Sequence, residues 1–237
     1  MNLRAVPMFA SGLAATAAVM IASIGAPSGT PTSHRINRVL RMWGRAWLVP
    51  AGVRLEIQGL ENVAQGQQYV VASNHLSNLD PMVMLASLPI PLRFLAMREL
   101  FDVPVLGQAL RRIGMIEIDR ASPDGTTIAR GVQQALRDEA SIFVFPEGQT
   151  SHDGSLSRFR IGAFTIAIEH GIPILPVAVI GTRGIWPPGS NTIHSGVVRL
   201  IIQEPVHTGG MTSGDAVLLR DRIRLSIESA CSASGSD

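Results

Sequence analysis

From Val53 onward the chain alternates short β-branched apolar runs with stretches of helical period, and this alternation narrows its fold more than any other feature. Residues 54–58, 69–73, 93–96, 115–119, 141–145, 174–180 and 197–202 are rich in Val, Ile, Leu and Phe and read as strands. Between them, residues 81–86, 103–113, 125–138, 162–169 and 214–230 carry helical patterns. Strands that alternate with helices have both sheet faces to cover, so the pattern predicts an α/β domain around a mixed, largely parallel sheet flanked by helices. A chain of 237 residues, 46% apolar and 16% charged, has material for one sizeable core, which predicts a single such domain.

The N-terminal fifth is different. Residues 6–26 hold no charged side chain, and a spanning helix needs about 20 apolar residues, so the segment is at the margin of that length. Its Gly, Ser and Thr, followed by Pro27-Ser28-Gly29-Thr30-Pro31, fit a membrane anchor, a shallow monotopic helix or a secretory signal peptide. The signal peptide fits worst, because the residues before Pro27 make a poor cleavage site and only Arg4 precedes the run. In 33–49, Arg35, Arg38, Arg41 and Arg45 recur every three or four residues, with Ile36, Val39, Leu40, Trp43, Trp47 and Leu48 between them. That spacing gathers the arginines on one helical face and the apolar side chains on the other. The all-positive face and paired tryptophans predict an amphipathic helix in a membrane interface, with packing onto the core as the plainer reading.

A second feature bears on chemistry. The polar stretch Ser73-Asn74-His75-Leu76-Ser77-Asn78-Leu79-Asp80-Pro81 follows the apolar run Tyr69-Val70-Val71-Ala72, at the end of a strand where open α/β sheets hold their sites. Asn78, Asp80 and Pro81 are helix-start residues, so His75 is expected just outside a helix with Asp80 in its first turn. A histidine positioned by a carboxylate is a general base, and needs no protein nucleophile when the substrate brings a hydroxyl. Three more clusters accompany apolar runs: Glu117-Ile118-Asp119-Arg120, Phe145-Pro146-Glu147-Gly148-Gln149-Thr150-Ser151 and Ile174-Leu175-Pro176-Val177. If each ends a neighbouring strand, all converge with His75 on one sheet edge.

In order and spacing, Asn74-His75-x-x-x-x-Asp80, Gly114-Met115-Ile116-Glu117-Ile118-Asp119-Arg120, Phe145-Pro146-Glu147-Gly148 and Ile174-Leu175-Pro176-Val177 resemble the four motif blocks of the glycerolipid acyltransferases, the bacterial 1-acylglycerol-3-phosphate acyltransferase family. The resemblance runs from about Asn74 to Val179. It implies N-terminal membrane-associating helices over residues 1–50 and an acyltransferase domain over 51–230, while the Ser/Gly-rich composition around Cys231 predicts a flexible tail over 231–237. It also implies acyl transfer from acyl-CoA or acyl carrier protein to a lysophospholipid hydroxyl, with 1-acylglycerol-3-phosphate giving phosphatidic acid as the leading reaction. By the same resemblance His75 is the base and Asp80 fixes its tautomer, while Asn74, Arg120, Glu147, Gly148 and Arg160 belong to the acceptor site. No cofactor, metal or covalent acyl-enzyme is required, since the thioester is already activated. The expected place is a membrane surface, the cytoplasmic face of the inner membrane.

One departure concerns the acceptor. Relatives that acylate lysophosphatidic acid carry Thr-Arg-Ser after Pro-Glu-Gly, where this chain has Gln149-Thr150-Ser151. Acyltransferases of lyso-ornithine lipid and lysophosphatidylcholine resemble the chain in lacking that arginine, which keeps a different lysolipid acceptor open as an alternative. A catalytically silent lipid-binding module is the other alternative, opposed by the intact His75 and Asp80. A serine hydrolase is disfavoured by the lack of any G-x-S-x-G elbow. The scattered histidines and the single cysteine, Cys231, form no metal-ligand spacing and no disulfide, and few aromatic residues speak against a nucleic-acid platform.

Overall fold

The computed structural model describes residues 3–24, 34–119 and 124–233. Helices α1 (Ala5–Ile24) and α2 (His34–Leu48) lead into β1 (Val53–Gln58), followed by β2 (Val70–Ser73), α3 (Asp80–Ser87), β3 (Leu92–Met97) and the single-turn α4 (Arg98–Phe101). Then come α5 (Leu106–Arg112), β4 (Ile116–Ile118), α6 (Gly125–Arg137), β5 (Ser141–Val144), α7 (Gly162–Glu169), β6 (Ile174–Ile180), the short α8 (Thr182–Ile185), β7 (Gly196–Ile202) and α9 (Ala216–Ala233).

The seven strands form one sheet in the order β1-β7-β6-β2-β5-β3-β4. Every ladder is parallel except β6 with β7, so β1 and β7 run against the other five. This is the mixed, largely parallel sheet that the alternation predicts. Because side chains alternate along a strand, each central strand supplies both cores. Val71, Phe143, Leu175, Val177 and Val179 face the side covered by α1, α2 and α3. Val70, Ala72, Ile142, Val144, Ile174 and Ala178 face the side covered by α6, α7 and α9. Burial on both faces explains why these strands read as unbroken apolar runs.

The N-terminal helices depart from the membrane-interface expectation in one respect. The apolar face of α2 packs against protein: Leu40, Trp47 and Leu48 are buried, and the Trp47 ring meets Phe9 edge-on and stacks on Trp186. The small and polar residues of α1 serve that packing. A Cβ on Gly12 would lie 2.2 Å from the Trp47 ring, so only glycine lets the helices approach this closely. Ser11 Oγ donates to Ala46 O at 2.7 Å, and Trp43 Nε1 donates to Thr16 Oγ1 at 2.8 Å. Among the described residues no helix is long and apolar enough to cross a membrane. What α1 and α2 leave exposed is Val6, Leu13, Ile21 and Met42 beside Arg38 and Arg45. Pro27 to Pro31 lies outside the described residues.

Two boundaries moved for local reasons. The helix expected over 103–113 begins only at Leu106, because Pro104 precedes a tight turn in which Val105 takes φ 68° and Leu106 N donates to Pro104 O. At the other end α9 continues through the half-buried Cys231 to Ala233, past the expected start of the tail at residue 231. The α6 start is capped by Asp124, whose carboxylate accepts from Thr126 N and Thr127 N.

Candidate active site

The sheet order brings β6, β2 and β5 side by side, and the chain past the carboxyl ends of β2 and β5 holds His75, Asp80 and the loop from Phe145 to Ser151. Just past β2, His75 is largely buried and its Nδ1 lies 2.8 Å from Asp80 Oδ2. The same Oδ2 accepts from Leu76 N at 2.6 Å and Ser77 N at 2.8 Å. Three donors on one oxygen pin the carboxylate at the first turn of α3, where the helix dipole favours negative charge. An oxygen that already accepts from two backbone N–H groups has only acceptor capacity to offer the imidazole, so Nδ1 is the donor of this pair, and in the neutral imidazole the lone pair falls on Nε2. Asp80 Oδ1 is buried with no hydrogen-bond partner among the described residues.

The far side of the imidazole is built from the loop after β5. The Phe145 ring stacks on His75 with centroids 3.9 Å apart and planes 11° from parallel, and Phe143 backs it edge-on. Thr150 Oγ1 stands 3.0 Å from His75 Nε2. Glu147 clamps this loop to the one after β2: its Oε1 accepts from His75 N at 2.8 Å and its Oε2 from Ser157 N at 2.9 Å. Burial pushes the Glu147 carboxyl above the ordinary carboxylate range, and the N–H groups of Ser157 and His75 oppose that rise. Ser151 N donates to His75 O at 2.8 Å, a further tie between the loops. Gly148 takes φ 76°, and a Cβ there would come within 2.6 Å of Arg160 Nε, so the exposed Arg160 side chain lies across the bare glycine.

His75 also lines a cavity of about 290 Å³ whose other walls are apolar apart from Thr16 of α1. Leu85 and Met82 of α3, Phe94 of β3, Ala109 and Leu110 of α5 and Trp43 of α2 line it. A long alkyl chain with a reacting carbonyl at one end is the ligand shape such a cavity admits.

The family profile for acyltransferases matches residues 54–180. The chain belongs to that family. A chloroplastic 1-acyl-sn-glycerol-3-phosphate acyltransferase of Arabidopsis thaliana is 32% identical over 83% of this chain and 57% of its own length. The alpha form of the same enzyme from Homo sapiens is 34% identical over 74% of this chain and 63% of its own. The Pseudomonas aeruginosa 1-acyl-sn-glycerol-3-phosphate acyltransferase is 31% identical over 76% of this chain and 71% of its own. The chain thus spans only 57% and 63% of the length of the first two of these curated relatives. The crystal structure of the lysophosphatidic acid acyltransferase of Thermotoga maritima superposes with a TM-score of 0.81, covering 99% of this chain and 96% of that one at 22% identity, and so shares its fold.

The expected acyltransferase blocks do not all converge. His75, Asp80, Glu147 and Gly148 come together, but Ile174 to Val177 opens β6 instead of ending it, because β6 runs parallel to β2 and starts beside it. The block whose Ile116 to Ile118 form β4 sits at the sheet edge, two strands from β5. Arg120 lies outside the described residues. Asn74 is no open acceptor contact: it is buried, with Nδ2 donating to Val179 O and Oδ1 accepting from Val179 N, each at 2.8 Å. Its side chain therefore joins the start of the His75 loop to β6. His152-Asp153-Gly154 forms an exposed turn.

Sequence reasoning missed Phe145 as the imidazole platform and Thr150 as its hydrogen-bond partner. The signal for Thr150 was its place two residues beyond Gly148, where the family resemblance leads one to expect an arginine. Ser77 was also missed; its Oγ donates to Trp186 O at 2.7 Å and ties the His75 loop to the segment after β6. Among the described residues no three His, Cys, Asp or Glu side chains are grouped so as to hold a metal ion.

Proposed function

We propose that this protein is a lysophospholipid acyltransferase, moving an acyl chain from acyl-CoA or acyl carrier protein to the free hydroxyl of 1-acylglycerol-3-phosphate to give phosphatidic acid. One observation carries the reading: a histidine held by a buried carboxylate lines an apolar cavity of about 290 Å³ that admits an alkyl chain. The curated relatives named for this reaction support the same acceptor.

In this reading the acyl chain fills the cavity and leaves its thioester carbonyl beside His75. Nε2 takes the proton of the acceptor hydroxyl as the oxygen attacks, and Asp80 stabilises the imidazolium. When the tetrahedral intermediate collapses, the proton passes to the departing thiolate. No metal or other cofactor enters. Arg160, lying across Gly148, and Arg120 supply positive charge for the acceptor phosphate.

Residues 1–50 attach the domain to a membrane surface, the cytoplasmic face of the inner membrane, through the exposed apolar side chains and arginines of α1 and α2. The deciding experiment offers purified protein a labelled acyl thioester and a panel of lysolipids, with His75→Ala as control. Phosphatidic acid formed by the wild type alone supports the reading. A variant as active as wild type sinks the base assignment. Reaction only with lyso-ornithine lipid or another phosphate-free acceptor sinks the acceptor, an outcome that Thr150 in place of the arginine makes worth including. No transfer to any acceptor leaves a lipid-binding module.

A further inference from the structure

A second cavity, of about 600 Å³, lies on the other face of the sheet, between α6 and α7. Its α6 wall is Gly125, Ile128, Ala129 and Val132, which are spaced three and four apart and so share one face of the helix. Ala163 and Ile166 line it from α7, and Leu95 of β3 and Val144 of β5 form its floor. Protein interiors are closely packed, so an apolar space this large has the size and lining of a ligand site. Small residues keep it open. A Cβ on Gly125 or Gly162 would meet no described atom within 4 Å, and neither glycine has a positive φ, so neither close approach nor backbone conformation calls for glycine there. What the two supply is room.

The cavity borders the active site at Phe145. That ring stacks on His75 with centroids 3.9 Å apart and lines both cavities, with His75 in the wall of the first and Arg160 in the wall of the second. Gly148, with the Arg160 side chain across it, also lines the second. No carboxylate among the described residues pairs with the exposed Arg160, which leaves its guanidinium for an anion. From Gly162 the cavity follows α7 to Glu169, a helix of 8 residues and so about 12 Å. The Glu169 carboxylate at the far end repels a phosphate, so the Arg160 end is the one suited to an anionic head group.

We propose that this cavity holds the acceptor's own alkyl chain: a lysophosphatidate seats its phosphate on Arg160, its free hydroxyl at His75 Nε2 and its chain between α6 and α7. This inference rests on the acceptor of the function proposed above. Acyl transfer to a lysolipid brings two alkyl chains to one histidine, and the sheet keeps them apart, the donor's on the side of α3 and α5 and the acceptor's on the side of α6 and α7. Because α1 and α2 cover the opposite face of the sheet, an acceptor seated here has left the bilayer to which residues 1–50 attach in that reading.

The test irradiates the full-length protein, in detergent and without any donor, with a 1-acyl lysophosphatidate that bears a diazirine at the end of its chain, and maps the label by peptide sequencing. The expected label falls on residues 125–137 and 162–169 and is displaced by excess 1-palmitoyl lysophosphatidate. Label on α3 or α5 puts the chain in the first cavity, and label on α1 or α2 alone puts it beside the N-terminal helices; either overturns the proposal. Palmitate that displaces the label as well as lysophosphatidate does assigns the cavity to fatty acids and overturns it too. Kinetics supply a second reading. Ala129 is exposed on α6, so Ala129→Trp narrows the cavity from its rim, and kcat/KM for 1-palmitoyl lysophosphatidate should fall about tenfold relative to 1-hexanoyl lysophosphatidate. An unchanged acceptor ratio, or a shift in donor chain preference in its place, contradicts the proposal. Transfer to lysophosphatidate without label on α6 or α7 removes this site alone, and that label without transfer removes the reaction and leaves the site.

Discussion

The side-chain amide of Asn74 pairs with the backbone of Val179 in both directions, Nδ2 to O and Oδ1 from N, each at 2.8 Å. It extends the β2–β6 pairing by one position, past the point where the His75 loop leaves the sheet. Asn74→Ala orphans the buried N–H and C=O of Val179, and each such group costs about 1–3 kcal/mol. Thermal unfolding should show a midpoint lowered by several degrees, with activity falling in parallel as the loop loses its anchor. A variant as stable as wild type removes this role.

His75 and Asp80 should separate chemistry from folding. Loss of a general base costs about 10² to 10⁴ in rate, so His75→Ala should lose that much in kcat while its circular dichroism and unfolding midpoint stay near wild type. Asp80→Asn should also be impaired, since an amide cannot stabilise the imidazolium. Equal kcat for Asp80→Asn and wild type would show that Asp80 does no more than start α3.

The cavity predicts a chain-length effect. Ala109 is buried on α5 and lines the cavity, so Ala109→Phe projects a ring into a space of about 290 Å³. Measured as kcat/KM, palmitoyl donors should lose at least about tenfold relative to octanoyl donors, roughly 1.4 kcal/mol of discrimination. An unchanged ratio would place the acyl chain elsewhere.

Glu147 predicts a pH effect on stability. Burial raises its folded value above the ordinary 4.5, so the native state holds the proton more tightly than the unfolded chain. Its contribution is fully present below the unfolded value and is lost as the pH rises through the raised folded value. Glu147→Gln cannot titrate, so its unfolding midpoint should lack that decline with rising pH, while losing one acceptor for the His75 and Ser157 N–H groups. Parallel pH profiles for the two proteins would contradict the assignment.

Much of the architecture was legible because it rests on local periodicity. The runs at 174–180 and 162–169 predict β6 and α7 to the residue, since a strand buried on both faces and a short apolar helix each leave an unbroken signature. The His75 and Asp80 pairing was equally legible, for five residues of separation across a helix start leave the chain little choice of geometry. The pattern of α2 left two readings open, a membrane interface and packing on the core. An apolar face shows that something covers it, and Phe9 and Trp186, from distant parts of the chain, turned out to cover Trp47.

The sequence by itself determined an α/β domain, its strand and helix positions, its family and the histidine with its carboxylate, because each depends on spacing within a short segment. Only the tertiary structure decided that Ile174 to Val177 opens its strand, that Asn74 is committed to Val179, and that Thr150 reaches Nε2 of His75. Each of these joins residues at least 75 positions apart, and the order of strands in the sheet, to which no local period refers, brings them within hydrogen-bond distance.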